Sequence, residues 1–130
     1  MSDPTLREKG QAMRTKLLGE SFEQNMDRSL YKDDPVMQVF REIAVENVFG
    51  ALWNRPGLDL KTRTLICVVT DVATRSLEEL ELHLRMALRQ GWSERELTET
   101  MAHMSGYVGV LPVRDAMRTA SRVFAAIREE

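Results

Sequence analysis

The sequence predicts an all-α fold, one domain of about six helices, on three observations. Apolar residues recur at spacings of three and four through most of the chain. Helix start and stop signals punctuate those stretches. The one β-branched run has no second strand-like segment to pair with. A length of 130 residues suits a single domain with a real core, here a helical arm and loop over 1–33 and a helical core over 34–130.

From about Thr5 to Gly19 the chain is charged, with Leu6, Met13 and Leu17 at loosely helical spacing, a helical arm that needs a neighbour. The polar stretch from Glu20 to Asp34 has no strong periodicity. Asp34-Pro35 then opens a helix, with Asp as N-cap and Pro at the first helical position, where its missing N–H costs nothing. Val36, Phe40, Ile43, Ala44, Val48 and Leu52 follow as its expected core face, to about Trp53. Arg55-Pro-Gly57 breaks it.

Leu60 to Thr74 contains the β-branched run. Its length favours a helix, and its apolar surface most of the way round implies burial on several sides. Ser76-Leu-Glu-Glu79 reads as a capping box. It starts a helix with Leu77, Leu80, Leu84, Ala87 and Leu88 on one face, stopped by Gly91. Ser93-Glu-Arg-Glu96 is a second capping box, opening a helix with Leu97, Met101, Met104 and Val108 inward. After Gly109, Pro112 begins a last helix with Val113, Met117, Ala120, Phe124 and Ile127 at core spacing.

Composition excludes several functions. Hydrophobic residues at 43% and charged residues at 29% are ordinary for a soluble protein. A net charge of -2 without a Lys/Arg-rich run gives no footprint for nucleic acid. No apolar run approaches the roughly 20 residues of a membrane helix, and the polar first residues do not read as a secretory signal. The default expectation is a cytoplasmic protein. A single cysteine, Cys67, cannot form an intrachain disulfide or a cysteine-rich zinc site, and inside an apolar run it reads as an inert thiol. No phosphate-binding glycine loop, HExxH or paired CxxC is present, so no metal or cofactor is expected.

Glu79 and His83 are four apart and share a helix face at the edge of the leucine stripe. A carboxylate within reach can orient the imidazole and suit it to acid–base work; a plain surface i,i+4 pair fits the spacing as well. His103 and Tyr107 repeat that spacing on the next helix, as pocket residues or as packing. Arg63 sits in a first helical turn, where the dipole disfavours a cation, so a carboxylate partner is expected from the protein, with Glu46 a candidate, or from a substrate. Arg75 and Arg114 are further candidates for an anionic ligand, or ordinary solvated arginines.

The ordered segments Lys9-Gly10, Arg14 to Glu20, Phe49-Gly50, Trp53 to Leu58, Lys61 to Leu65, Glu79-Leu80, His83-Leu-Arg85, Ala87-Leu88, Gly91 and Tyr107-Val-Gly109 together resemble the carboxymuconolactone decarboxylase family over nearly the whole chain. The resemblance implies the alkylhydroperoxidase-D-like helical bundle and a homo-oligomer, trimer or hexamer. The peroxidase branch carries CxxC with a histidine four residues on. Aligned on His83, those cysteine positions hold Ser76 and Glu79, so dithiol peroxidase chemistry is not expected.

In the decarboxylase branch a carboxylated γ-lactone loses CO2 without a cofactor, in aromatic-compound catabolism by way of protocatechuate and 3-oxoadipate. The resemblance implies His83 as proton donor oriented by Glu79. Arg63 and Arg75 would anchor a carboxylate, with Tyr107 and Arg114 in the pocket. Two stretches depart from the family: Tyr107 to Arg114, where the proline is displaced and Arg114 replaces Asn, and Thr70-Asp71, where small or apolar residues are usual. If these line the pocket, an added cation and carboxylate alter its substrate. A non-catalytic helical oligomer that binds a small carboxylate or a protein partner is the competing expectation.

Overall fold

A computed structural model describes residues 4–130. Every regular element among them is helical: α1 (Pro4–Leu18), α2 (Glu20–Met26), α3 (Pro35–Ile43), α4 (Leu60–Thr74), α5 (Leu77–Arg89), α6 (Glu94–Val108) and α7 (Val110–Arg128). Helix α2 runs into a π-helical segment, Asp27–Tyr31, and α3 into another, Ala44–Leu52. The all-α expectation holds. The chain divides into two compact units, Met1–Leu58 and Asp59–Glu130.

In the first unit α1 crosses the π-helical segment Ala44–Leu52 at close range. A Cβ on Gly10 would overlap the Val45 carbonyl, and one on Gly50 the Leu6 carbonyl; glycine lets the two backbones meet. Asp34 caps α3 as expected, its Oδ1 accepting from the Val36 and Met37 amides at 3.0 and 3.2 Å. The core face expected on this helix does not form. No residue of α3 is buried, and Val36, Phe40, Ile43 and Leu52 are at least half exposed. Beyond Ile43 the hydrogen bonds lengthen to i→i+5, as in the Trp53 amide to the Val48 carbonyl. That wider winding turns Val45 and Gly50, five apart, into the interior instead.

The stretch from Glu20 to Tyr31 is also helical, although no apolar stripe marks it. Ions hold it. The Arg14 guanidinium, 2% exposed, bonds Glu23 at 3.2 Å and Asp27 at 2.8 Å and lies 5.8 Å from the centre of the Tyr31 ring. Arg41 closes the cluster on Asp27 at 2.9 Å.

In the second unit, α4 to α7 enclose a core centred on Val68, Val72, Leu84, Met101, Ala116 and Phe124. The inward faces expected on α5, α6 and α7 are the ones observed. Helix α4 is a helix as expected, but it buries one side only, through Thr64, Val68, Asp71 and Val72; Ile66 is half exposed.

The two capping boxes part company. At α6 both bonds form, Glu96 N–H to Ser93 Oγ at 3.0 Å and Ser93 N–H to Glu96 Oε1 at 2.9 Å. At α5 the box is absent. The Ser76 N–H already bonds the Asp71 carbonyl at 2.9 Å, and its Oγ pairs with Thr74 at 2.8 Å. The cause is the short turn: Arg75 ends α4 in the left-handed conformation at φ 57°, and the bonds that close such a helix end consume the amide that a capping box needs. Gly91 and Gly109, both at positive φ, end α5 and α6. Helix α7 starts at Val110, so Pro112 sits inside its first turn, where proline is tolerated.

Candidate active site

The two-residue turn at Arg75 and Ser76 folds α5 back beside α4 and sets Asp71 against His83. Asp71 Oδ2 lies 2.5 Å from His83 Nδ1, with the carboxylate side chain 9% exposed and the imidazole 18% exposed. A carboxylate only accepts hydrogen bonds. His83 therefore donates through Nδ1, and its second nitrogen, Nε2, is left to exchange a proton with a ligand. Asp71 is anchored twice, since its main-chain carbonyl also ties the α4–α5 turn.

Glu79, the carboxylate that the i,i+4 spacing selects, is exposed on the first turn of α5. The partner of the imidazole comes from the neighbouring helix instead. The sequence marks Asp71 as a departure from the family pattern and a candidate pocket carboxylate, without pairing it to His83. One signal points to that pairing, since an acid in the apolar run from Leu65 to Ala73 must find a partner when buried, and the chain holds two histidines.

Arg63, Cys67 and Asp71 are spaced by four along α4 and form one row, with Arg63 partly buried in the first turn. Burial, and then the Asp71 charge, push the Cys67 thiol up to about 11, so it is protonated and unreactive near neutral pH. Arg75 is exposed at the α4–α5 turn, one residue before Ser76.

The remaining candidates lie elsewhere on this unit. Tyr107 is 79% exposed, and its ring sits 5.2 Å from that of His103. Arg114 bonds Asp115 at 3.0 Å and lines a shallow groove of about 580 Å³ between α6 and α7, beside Arg118, Val113 and Met117. Neither His83 nor Asp71 lines that groove. Among the described residues, no three His, Cys, Asp or Glu side chains gather as metal ligands would, and no helix is long and apolar enough to cross a membrane.

The described residues form an all-helical scaffold with a carboxylate-backed histidine, and comparison with known proteins supplies the family. The model of the carboxymuconolactone decarboxylase family matches residues 40–122, and the chain belongs to that family. It is similar to a 4-carboxymuconolactone decarboxylase of Acinetobacter baylyi, 33% identical across 95% of this chain and 90% of that protein. It is also similar to a nitrosuccinic acid decarboxylase of Metarhizium robertsii, 31% identical across 86% of this chain and 76% of that protein. An uncharacterised 15.0 kDa protein of Paracoccus denitrificans is 36% identical over 66% of each chain.

Proposed function

We propose that this protein is a cofactor-free carboxy-lyase acting on a carboxylated γ-lactone such as 4-carboxymuconolactone, with His83 as the catalytic acid. The observation that carries the reading is the His83 imidazole held at Nδ1 by a buried carboxylate, in a chain whose named relatives are decarboxylases.

4-Carboxymuconolactone and nitrosuccinic acid are chemically unlike, yet they share what this chemistry needs. Each is a dicarboxylate in which one carboxylate sits on a carbon joined to a built-in electron acceptor. When the C–CO2 bond of the lactone acid breaks, its electron pair moves through the conjugated C=C onto the lactone carbonyl oxygen. In nitrosuccinate the pair moves into the nitro group. CO2 leaves, and the dienolate or nitronate takes one proton at carbon. That proton comes from His83 Nε2, and water restores it. The net change is loss of CO2 and gain of a proton, with no oxidation or reduction.

The protein has two tasks: to hold the carboxylate that stays and to supply the proton at the right carbon. Arg63 stands two helical turns from Asp71 in the same row of α4, about 12 Å along the axis at 1.5 Å per residue. Arg63 is the first anchoring cation, for the carboxylate that stays. Arg75, at the turn beside Ser76, is the second anchoring cation. Glu79 has an outer place one turn before His83. Arg114 faces its own groove and the Tyr107 ring lies tilted beside that of His103, so the step gives neither a part.

Val36, Val39, Phe40 and Ile43, in one row on α3 and each at least half exposed, support the homo-oligomer that the resemblance implies. Apolar residues at this spacing are what one helix offers another, here a second copy of the chain.

The test is CO2 release from 4-carboxymuconolactone and nitrosuccinate by the purified protein. Turnover of one of them, reduced about 10²–10⁴-fold in His83→Ala, is expected for loss of a general acid. Undiminished turnover in that variant removes His83 from the reaction. No turnover of either compound returns the protein to a non-catalytic binding role.

A further inference from the structure

We propose that Asp71 is the positioning residue of this site: its carboxylate accepts the Nδ1 proton of His83, fixes the ring, and so makes Nε2 the atom through which the proton is delivered. The proposal rests on the decarboxylase reading for its kinetic consequence, and on geometry alone for its structural one.

Three features carry it. The contact is short, 2.5 Å, and both side chains are largely shielded from water, so the hydrogen bond is weakly screened and costly to leave unmade. The carboxylate is held by a rigid element: Asp71 lies on the buried face of α4, and its main-chain carbonyl receives the Ser76 amide that starts the approach to α5. One residue thus ties the α4–α5 turn and orients the imidazole, as a support to a functional side chain must. Third, the alternative carboxylate is poorly placed. Glu79 is exposed on α5 itself, where water screens it and long side-chain rotamers compete.

A neutral imidazole exists in two tautomers, and only the Nδ1–H form leaves Nε2 open to take a proton from water and then, as the imidazolium paired with Asp71, to deliver it. An acceptor at Nδ1 selects the Nδ1–H form as the resting base and stabilises the imidazolium once Nε2 is protonated. An amide in the same place can present its NH2 group, select the Nε2–H form and lose that stabilisation, with the shape of the site unchanged. Positioning and mere packing therefore predict different results for Asp71→Asn.

The lone cysteine gives an independent check on the same carboxylate. Cys67 is one turn before Asp71, and the Asp71 charge contributes, after burial, to holding its thiol up at about 11. Because no other cysteine exists in the chain, the pH dependence of alkylation by iodoacetamide reports on this site alone.

The experiment combines three readouts on the full-length protein. In ¹⁵N-histidine-labelled wild type, with His103→Gln used to assign the two rings, the neutral His83 should be protonated at Nδ1. In Asp71→Asn the Nε2–H tautomer should gain population, and the pH midpoint of Cys67 alkylation should fall. With lactone or nitro acid as substrate, kcat should drop about 10²–10⁴-fold, the range of a misdirected general acid, while KM changes little. Asp71→Glu, which restores a carboxylate, should recover part of the rate. An Nε2–H tautomer in the wild type overturns the proposal even if the Asn variant does not fold. So does an Asn variant with unchanged tautomer or unchanged kcat. If neither substrate turns over in the wild type, the enzyme reading fails, and the tautomer result still decides the place of Asp71.

Discussion

Each unit of this chain buries a charged cluster, and the two are built on opposite plans. In the first, Arg14, Glu23, Asp27 and Arg41 form a closed set: two cations face two carboxylates, with Thr15 and Gln11 taking further oxygen and nitrogen positions. In the second, Asp71 meets His83 through one ring nitrogen, and the other is left over. A closed set can only hold structure. A set with one spare proton site can do chemistry, and the difference separates a staple from a candidate active site.

The comparison is broken most severely at Arg14. Arg14→Ala takes the cation from the buried Glu23 carboxylate, while Asp27 keeps Arg41, and should cost about 3–5 kcal/mol, read as a fall in the urea midpoint; a loss within the scatter of surface substitutions would mean that the cluster is not a staple. Gly10→Ala comes next. Its Cβ meets the Val45 carbonyl, which belongs to a backbone that cannot swing aside, so a loss of roughly 1–3 kcal/mol is expected from overpacking, and a wild-type melting temperature would show that the helix crossing is loose.

Acid should separate the clusters further. Burial alone would raise the Asp27 carboxyl, but hydrogen bonds from Arg41 and then Arg14 outweigh it and leave it below the ordinary carboxylate value. Its stabilisation is therefore complete above the unfolded pKa, about 3.9, and is lost as pH falls through the lower folded value. Thermal melts between pH 5 and 2 should show this loss, and Asp27→Asn should flatten that part of the curve. An Asn variant with the full acid dependence would assign it to other groups. The smallest expected effect lies at the caps. Ser93→Ala should cost about 1 kcal/mol and Ser76→Ala a few tenths, because only the first makes a cap; equal losses would contradict the difference between the two turns. Phe40→Lys, on the exposed row of α3, should leave the melt of the monomer nearly unchanged and lower the sedimentation coefficient of an assembly.

Much of the second unit was legible in the sequence because its helices obey one period. Leu80, Leu84 and Ala87, or Leu97, Met101 and Met104, fall on faces that 3.6 residues per turn turn inward, and Ser93-Glu96 is a local signal with a local outcome. The first unit was harder to read. Helix α2 is held by ion pairs nine to fourteen residues apart in sequence, which no apolar stripe announces, and the π-helical winding after Ile43 re-aims Val45 and Gly50 away from the face that a regular helix would bury. The site was half legible for the same reason. His83 stands out within its own helix, and spacing within that helix offers Glu79. Asp71 reaches it from the preceding helix, across a turn whose left-handed Arg75 is invisible to helical periodicity.

That His83 delivers the proton is the central claim, and the most direct measurement is the stereochemistry of the product made in D2O. When the dienolate of 4-carboxymuconolactone is protonated next to the lactone carbonyl, that ring carbon becomes a CH2 group with two distinguishable positions. Delivery from His83 Nε2 places a single deuterium on one face of the enol-lactone, and His83→Gln scrambles whatever product it still makes. Deuterium spread equally over both faces by the wild-type protein would mean that water, and not His83, protonates an intermediate already free of the site.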